Sequence, residues 1–146
     1  LTTGDAGKNL RPLILLQEDT MSEQIALTAS NLRYLLAIRE LNRDNSGIRC
    51  VDIAAVLGLS KPSVHSMMNS FRKMELVQKD RYGKVYLTPK GADTAERYSV
   101  YYKAVYAFLT SRLPETPGMQ TLVCSLLAET PEESLCRLLY VPTQNS

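Results

Sequence analysis

LSKPSVHSMMNSFRK, residues 59–73, sorts its polar and apolar side chains onto two sides of one helix. Val64, Met67, Met68 and Phe71 fall at offsets of 3, 4 and 7, the spacing of a single helical face. Lys61, His65, Asn69 and Arg72 fall at offsets of 4, 8 and 11 and line up on the other side. Ser60 is suited to cap the N-terminus, and Lys61-Pro62 fill the first turn, where proline's missing N–H costs nothing. A helix with one buried face and one face of amides and cations is either a plain surface helix or a nucleic-acid reader. Its neighbours decide which.

Upstream, VDIAAVLGL at 51–59 reads as a short helix with Ile53, Ala54, Val56 and Leu57 turned inward. Gly58 sits where a left-handed C-terminal cap is expected, so a tight turn joins this helix to the next as a helix-turn-helix unit. A short extended piece, Ile48-Arg49-Cys50, precedes it. Before that, LRYLLAIREL at 32–41 is a core-facing helix, with cap candidates in Thr28-Ala29-Ser30-Asn31 and apolar members Leu32, Leu35, Leu36, Ile38 and Leu41; NRDNSG at 42–47 ends it.

Downstream, VQKDRYGKVYLT at 77–88 alternates strand formers with the turn residues Asp80-Arg81-Tyr82-Gly83, a hairpin with Lys79, Arg81 and Lys84 at its tip. A lone hairpin is marginal in water and must lean on the helices. The combination predicts a winged helix. Thr88-Pro89 then open a long helix over 89–110, with an apolar stripe of Ala92, Ala95, Tyr98, Tyr102, Val105, Tyr106 and Leu109. Its tyrosines suit both core packing and a subunit interface. Pro114, Pro117 and Gly118 break the chain before two further helices at 119–129 and 131–141. The expected fold class is mainly α: a winged helix-turn-helix with a small β-hairpin wing, followed by a helical dimerisation region. The expected division is a partly ordered extension at 1–29, a DNA-binding domain at 30–88 and a dimerisation domain at 89–146.

Composition fits one globular domain: 146 residues, 45% apolar and 22% charged. The net charge of +2 is unevenly spread, with a positive excess over residues 30–97 flanked by slightly acidic segments, a distribution suited to phosphate attraction. Cys50, Cys124 and Cys136 are odd in number without a close pair, which implies reduced, partly buried thiols and a cytoplasmic location. Cys124 and Cys136 occupy apolar helical positions and read as core residues. The run Leu13-Ile14-Leu15-Leu16 is too short to span a bilayer and is soon followed by Glu18-Asp19, so neither a membrane partner nor a signal peptide is expected. Met21 is either an alternative start or an ordinary internal residue.

At this point the chain resembles the bacterial metal-dependent repressors of iron and manganese uptake, related to diphtheria toxin repressor. The resemblance covers about residues 32–139. It is carried by DIAAVLGLSKPSVHSMMNSFRKMELV (52–77) and DRYGKVYLTPKG (80–91), in which the first helix of the unit, reading helix, wing and start of a long helix follow in the family's order. It implies a DNA-binding domain, a helical dimerisation domain to which the first helix contributes, a wing touching the DNA backbone, and the short form of the family. It also implies a regulatory metal, and there the sequence departs. The family's acidic pair on the first helix matches Arg33 and Leu36, a histidine of the long helix matches Tyr102, and the helix with further ligands matches TLVCSLL, leaving Thr121, Cys124 and Ser125. An arginine repels a dication, and one cysteine cannot supply the three or four ligands that Zn²⁺, Mn²⁺ or Fe²⁺ needs. No cofactor and no metal is therefore expected.

The expected DNA contacts are Lys61, Ser63, His65, Ser66, Asn69 and Arg72 on the reading helix, with Arg81 and Lys84 on the wing and Lys79 and Lys90 as weaker members of the same class. Asn69 can pair with adenine, and Arg72 or Lys61 with guanine or phosphate. Ser63 and Ser66 are short donors near the helix start, and His65 is a simple hydrogen-bond donor. The bland alternative for each is a solvated charge. His65 is the only histidine, which excludes His-containing triads, and no phosphate loop, HExxH, GxSxG or CxxC occurs. An enzyme is not expected. The expected partners are a palindromic operator in double-stranded DNA and a second copy of the chain, with room for an unidentified small-molecule effector. Two rivals stay open: a winged-helix protein-interaction module without DNA binding, and a metal-responsive repressor using other ligands.

Overall fold

The computed structural model describes residues 26–139. The expectations for the apolar run at 13–16, for Met21 and for most of the 1–29 extension lie outside them. The first described helix, α1 (Ala29–Leu41), starts at Thr28. The Thr28 hydroxyl accepts the Asn31 N–H at 3.1 Å and the Asn31 carboxamide oxygen accepts the Thr28 N–H at 3.0 Å, a reciprocal cap that satisfies two orphan donors.

The helix-turn-helix follows as α2 (Cys50–Leu57) and α3 (Lys61–Lys73). Gly58 takes φ 65° between them, a left-handed turn that a side chain would strain. The Ser60 hydroxyl then accepts the Ser63 N–H to cap α3. At the far end the chain turns again at Glu75, with φ 60°, uncommon for a residue with a side chain. The Thr88 hydroxyl donates to the Glu75 carbonyl at 2.6 Å and holds that turn from the other side of the wing. The wing itself is β1 (Val77–Lys79) antiparallel to β2 (Val85–Leu87), with Val77 opposite Leu87 and Lys79 opposite Val85. Ile48 pairs with Val85 through bonds of 2.9 and 2.8 Å, so the hairpin is anchored to the helices rather than standing free.

Thr88 also caps α4 (Pro89–Thr110), its hydroxyl accepting the Gly91 N–H at 2.9 Å. The chain closes with α5 (Met119–Glu129) and α6 (Glu132–Leu139). This mainly helical winged helix-turn-helix with a small hairpin and a helical extension is the fold class expected from the sequence.

Two apolar clusters organise it. The first joins Leu35, Ile38, Ile48, Ile53, Val64, Met68, Phe71, Leu76 and Val85 beneath α3 and the wing. The second joins Leu32, Tyr101, Val105, Val123, Leu127 and Leu135 among α1, α4, α5 and α6. α1 contributes to both, so the two halves share a structural member. Burying each large apolar side chain contributes about 1.5–3 kcal/mol. Arg39 of α1 pairs with Glu96 of α4 at 2.6 Å, and Arg97 of α4 pairs with Glu132 at 2.7 Å while also meeting Asp93. The Tyr101 hydroxyl donates to the same Glu132 oxygen at 3.1 Å, bolting α6 to α4. No helix among the described residues is long and apolar enough to cross a membrane.

Four sequence expectations need correction. Cys50 is the first residue of α2 rather than part of an extended piece, because only Ile48 meets the wing. Val56 is 59% exposed, since Cys50, Ile53 and Ala54 carry the inward stripe of this two-turn helix. Ala92 is exposed, since Gly91, Thr94, Ala95, Ser99, Tyr101 and Val105 form the buried line of α4. Cys136 is exposed, because α6 buries only Leu135; its sulfur lies 3.2 Å from the Tyr101 hydroxyl.

Candidate nucleic-acid interface

Val64, Met68 and Phe71 fix the rotation of α3, each almost fully buried, with Tyr34 set edge-on to Phe71 at a centroid distance of 6.5 Å. That rotation leaves Lys61, Ser63, His65, Ser66, Asn69 and Arg72 exposed. The ion pairs of the described residues belong to Arg39, Arg43 and Arg97, with Glu40, Glu96, Asp93 and Glu132. Carboxylates are thus engaged on α1, α4 and α6, and among the described residues no cation of α3 or the wing makes an ion pair, although the Asp80 carboxylate lies close enough to Lys84 to feel its charge. Ser63 differs from its neighbours: its hydroxyl is 2.8 Å from that of Ser60 and belongs to the helix cap.

On the wing, one Asp80 carboxylate oxygen accepts the N–H groups of Tyr82 at 2.8 Å and Lys84 at 2.9 Å. Partial dehydration works to raise the Asp80 pKa, but these N–H bonds, the Tyr86 hydroxyl and the Lys84 charge outweigh it and hold the carboxyl below its usual range. The turn so built puts Arg81 and Tyr82 out in solvent, Tyr82 with 82% exposure. Lys84 is drawn back instead, its Nζ reaching the Ser46 carbonyl at 3.4 Å.

Arg72, Lys79 and Lys90 meet along one open groove of about 720 Å³, with Glu75, Gln78 and Thr88. α3, the wing base and the start of α4 are thereby joined by cations that span 18 positions of the chain. A second open cleft, about 610 Å³, runs between α1 and α3 and is lined by Arg33, Ser30, Ser63, Ser66, Met67 and Ser70 among others. In the sequence Arg33 stands out only as a residue unfit for metal, and nothing local signals that it lines a cleft with α3. Lys73, exposed at the end of α3 and in no ion pair among the described residues, lies in the same positive segment.

The positions that the resemblance assigns to a metal do not suit one. Cys124 is fully buried, and burial pushes its thiol up to about 11 against the opposing charge of Arg33. A protonated thiol beside a guanidinium is a poor donor set for a divalent ion. Among the described residues no three His, Cys, Asp or Glu side chains are grouped as metal ligands would be.

The fold is a winged helix-turn-helix. Residues 32–81 match the IclR helix-turn-helix domain. No curated protein matches the sequence. Among solved structures the chain is similar to T. acidophilum IdeR, with 22% identity and a TM-score of 0.59 over 74% of this chain and 51% of that one. It is similar to the manganese regulator SloR, with 26% identity and a TM-score of 0.61 over 73% and 50%. A hypothetical protein from Sulfolobus solfataricus matches with 21% identity and a TM-score of 0.56 over 77% and 86%. The chain spans about half the length of IdeR and SloR.

Proposed function

We propose that this protein is a sequence-specific, DNA-binding transcription regulator that works as a homodimer and without a metal switch. The observation that carries this is the exposed, uncompensated polar face of α3 above a fully buried apolar one. Each α3 enters a major groove, where Asn69 reads adenine, Arg72 or Lys61 reads guanine or holds phosphate, and Ser63, His65 and Ser66 add contacts near the helix start. Arg81 and Lys84 hold the backbone from the wing, with Lys79 and Lys90 extending the same band along the groove beside Arg72. Residues 30–88 form the reading unit and 89–146 the dimerisation unit, α1 bracing both. Phe108, Leu122 and Leu138 expose apolar surface on the last three helices, which suits a second copy of the chain. Two copies would read an inverted repeat spaced by one helical turn or a multiple of it. SloR is a manganese regulator by name; in this chain Arg33 and Cys124 favour an effector other than a metal. The location in keeping with this role is the cytoplasm, and no catalytic step is assigned.

Selection of bound duplexes from a random pool tests the proposal directly. A recovered palindrome, bound equally with and without chelator, is the expected result. Failure to enrich any sequence at low salt would overturn it and leave a protein-interaction module.

A further inference from the structure

Arg33 differs from the arginines that brace the fold. Arg39, Arg43 and Arg97 each meet a carboxylate, whereas Arg33 makes no ion pair among the described residues and its Nε is buried without a hydrogen-bond partner. Arg33 is otherwise only partly buried, and a guanidinium N–H withdrawn from water without an acceptor carries a free-energy cost that pairing would relieve. Arg33 lines the open cleft between α1 and α3, and no aspartate or glutamate lines it with Arg33. Ser30 reaches the cleft from α1, and Ser63, Ser66 and Ser70 reach it from α3. The Asn31 carboxamide donates to the Met67 sulfur at 3.2 Å, joining the same two helices.

We infer that this cleft binds an oxyanion, carboxylate or phosphate, with Arg33 as the charged ligand and the Ser30 and Ser66 hydroxyls as neutral donors, since the Ser63 hydroxyl is shared with that of Ser60 and the Ser70 hydroxyl donates to the Ser66 carbonyl. The planar guanidinium presents paired N–H groups suited to two oxygens of one anion, and the first turn of α3 adds the favourable end of its helix dipole. The anion has two possible sources: a small molecule in solution, or a phosphate of the duplex that α3 enters. Only the second source rests on the DNA-binding role. Since Ser63 and Ser66 belong to both the cleft and the exposed face of α3, a free anion held there would alter duplex affinity.

The test uses the full chain and Arg33→Met, which keeps the apolar stem and removes the cation. Amide signals of Ser30, Ser63, Ser66 and Ser70 are followed by NMR as inorganic phosphate, and separately acetate, replaces chloride at constant ionic strength. Duplex affinity is measured in parallel across a range of NaCl concentrations. A free-anion site gives saturable shifts in the wild type that Arg33→Met abolishes. A backbone-phosphate site gives no saturable shift, but Arg33→Met lowers the salt slope of duplex binding by about one unit. No saturable shift together with an unchanged slope would overturn the inference. If the wild type binds no duplex even at low salt, the DNA-binding role fails while the phosphate titration still reports on the cleft. Should Arg33→Met fail to fold, Arg33→Lys keeps the charge without the fork, and a several-fold weaker phosphate midpoint or duplex affinity is then expected; unchanged values for both would overturn the site.

Discussion

A methyl group placed on Gly91 would lie 1.9 Å from the carbonyl oxygen of Leu76. That carbonyl also accepts the Thr88 N–H at 3.0 Å, so the first turn of α4 lies directly on the chain leaving α3. Glycine is required here by the close approach of two backbones, neither of which can swing aside as a side chain could. Gly91→Ala gains about 1 kcal/mol of helix propensity but forces this contact apart, at a cost of about 3 kcal/mol. A net loss of about 2 kcal/mol is expected, read as a lower midpoint in urea. An unchanged midpoint would mean that α4 is not seated on Leu76.

Asn69 and Arg81 are expected to fail in different ways. Asn69 projects from the exposed face of α3 and Arg81 from the wing turn. Asn69→Ala, like Arg72→Ala, should lose about 1–3 kcal/mol on the selected operator and much less on random DNA. Arg81→Ala should weaken both duplexes equally and lower the salt slope by about one unit. Gel-shift titrations on both DNAs at several salt concentrations separate the two. Uniform loss with Asn69→Ala would remove it from base reading.

Local chemistry made much of this fold legible. Gly58 and Ser60 announce the turn and cap between α2 and α3, and each is decided within a few residues of chain. The inward line Val64, Met68 and Phe71 followed from helical spacing in the same way. What stayed hidden depends on distant partners. Ile48 joins the wing because Val85 lies beside it, a pairing with no local signature. Val56 and Cys136 are apolar residues on short helices that bury only part of one side, and a two-turn periodicity does not say which part. The face of α3 was visible as a pattern, but the grouping of Arg72 with Lys79 and Lys90, and of Arg33 with the α3 serines, arises only when separate helices meet.

The wing turn should weaken in acid. The Asp80 carboxyl is held below its unfolded value, which is about 3.9, by the Tyr82 and Lys84 N–H groups, the Tyr86 hydroxyl and the Lys84 charge acting against partial dehydration. A group depressed in the folded state contributes stability above its unfolded pKa and loses it as pH falls through the folded value. Protection of the Tyr82 and Lys84 amides from hydrogen exchange, corrected for intrinsic rates, should be level above about pH 4 and decline below it. Asp80→Asn keeps an acceptor oxygen without the titration, so its protection should not vary with pH. A wild-type wing equally insensitive through this range would show that the carboxylate charge does not hold the turn.

The three thiols should separate by reactivity. Cys136 is exposed, while Cys50 and Cys124 are buried. Burial pushes the Cys124 pKa up to about 11 from 9.0, so near neutrality it holds about a hundredfold less thiolate, the reactive form, than an ordinary thiol. Because the folded pKa is raised, the stabilisation from keeping Cys124 neutral is fully present below the unfolded pKa and disappears as pH rises through about 11. Iodoacetamide at mildly alkaline pH should therefore modify Cys136 first, with Cys124 at least about a hundredfold slower; in denaturant all three should react at similar rates. Peptide mapping by mass spectrometry reads the order. Native-state labelling of Cys124 as fast as Cys136 would mean that α5 does not seal this thiol against α1, and the cluster joining Leu32 to Val123 and Leu127 would have to be redrawn.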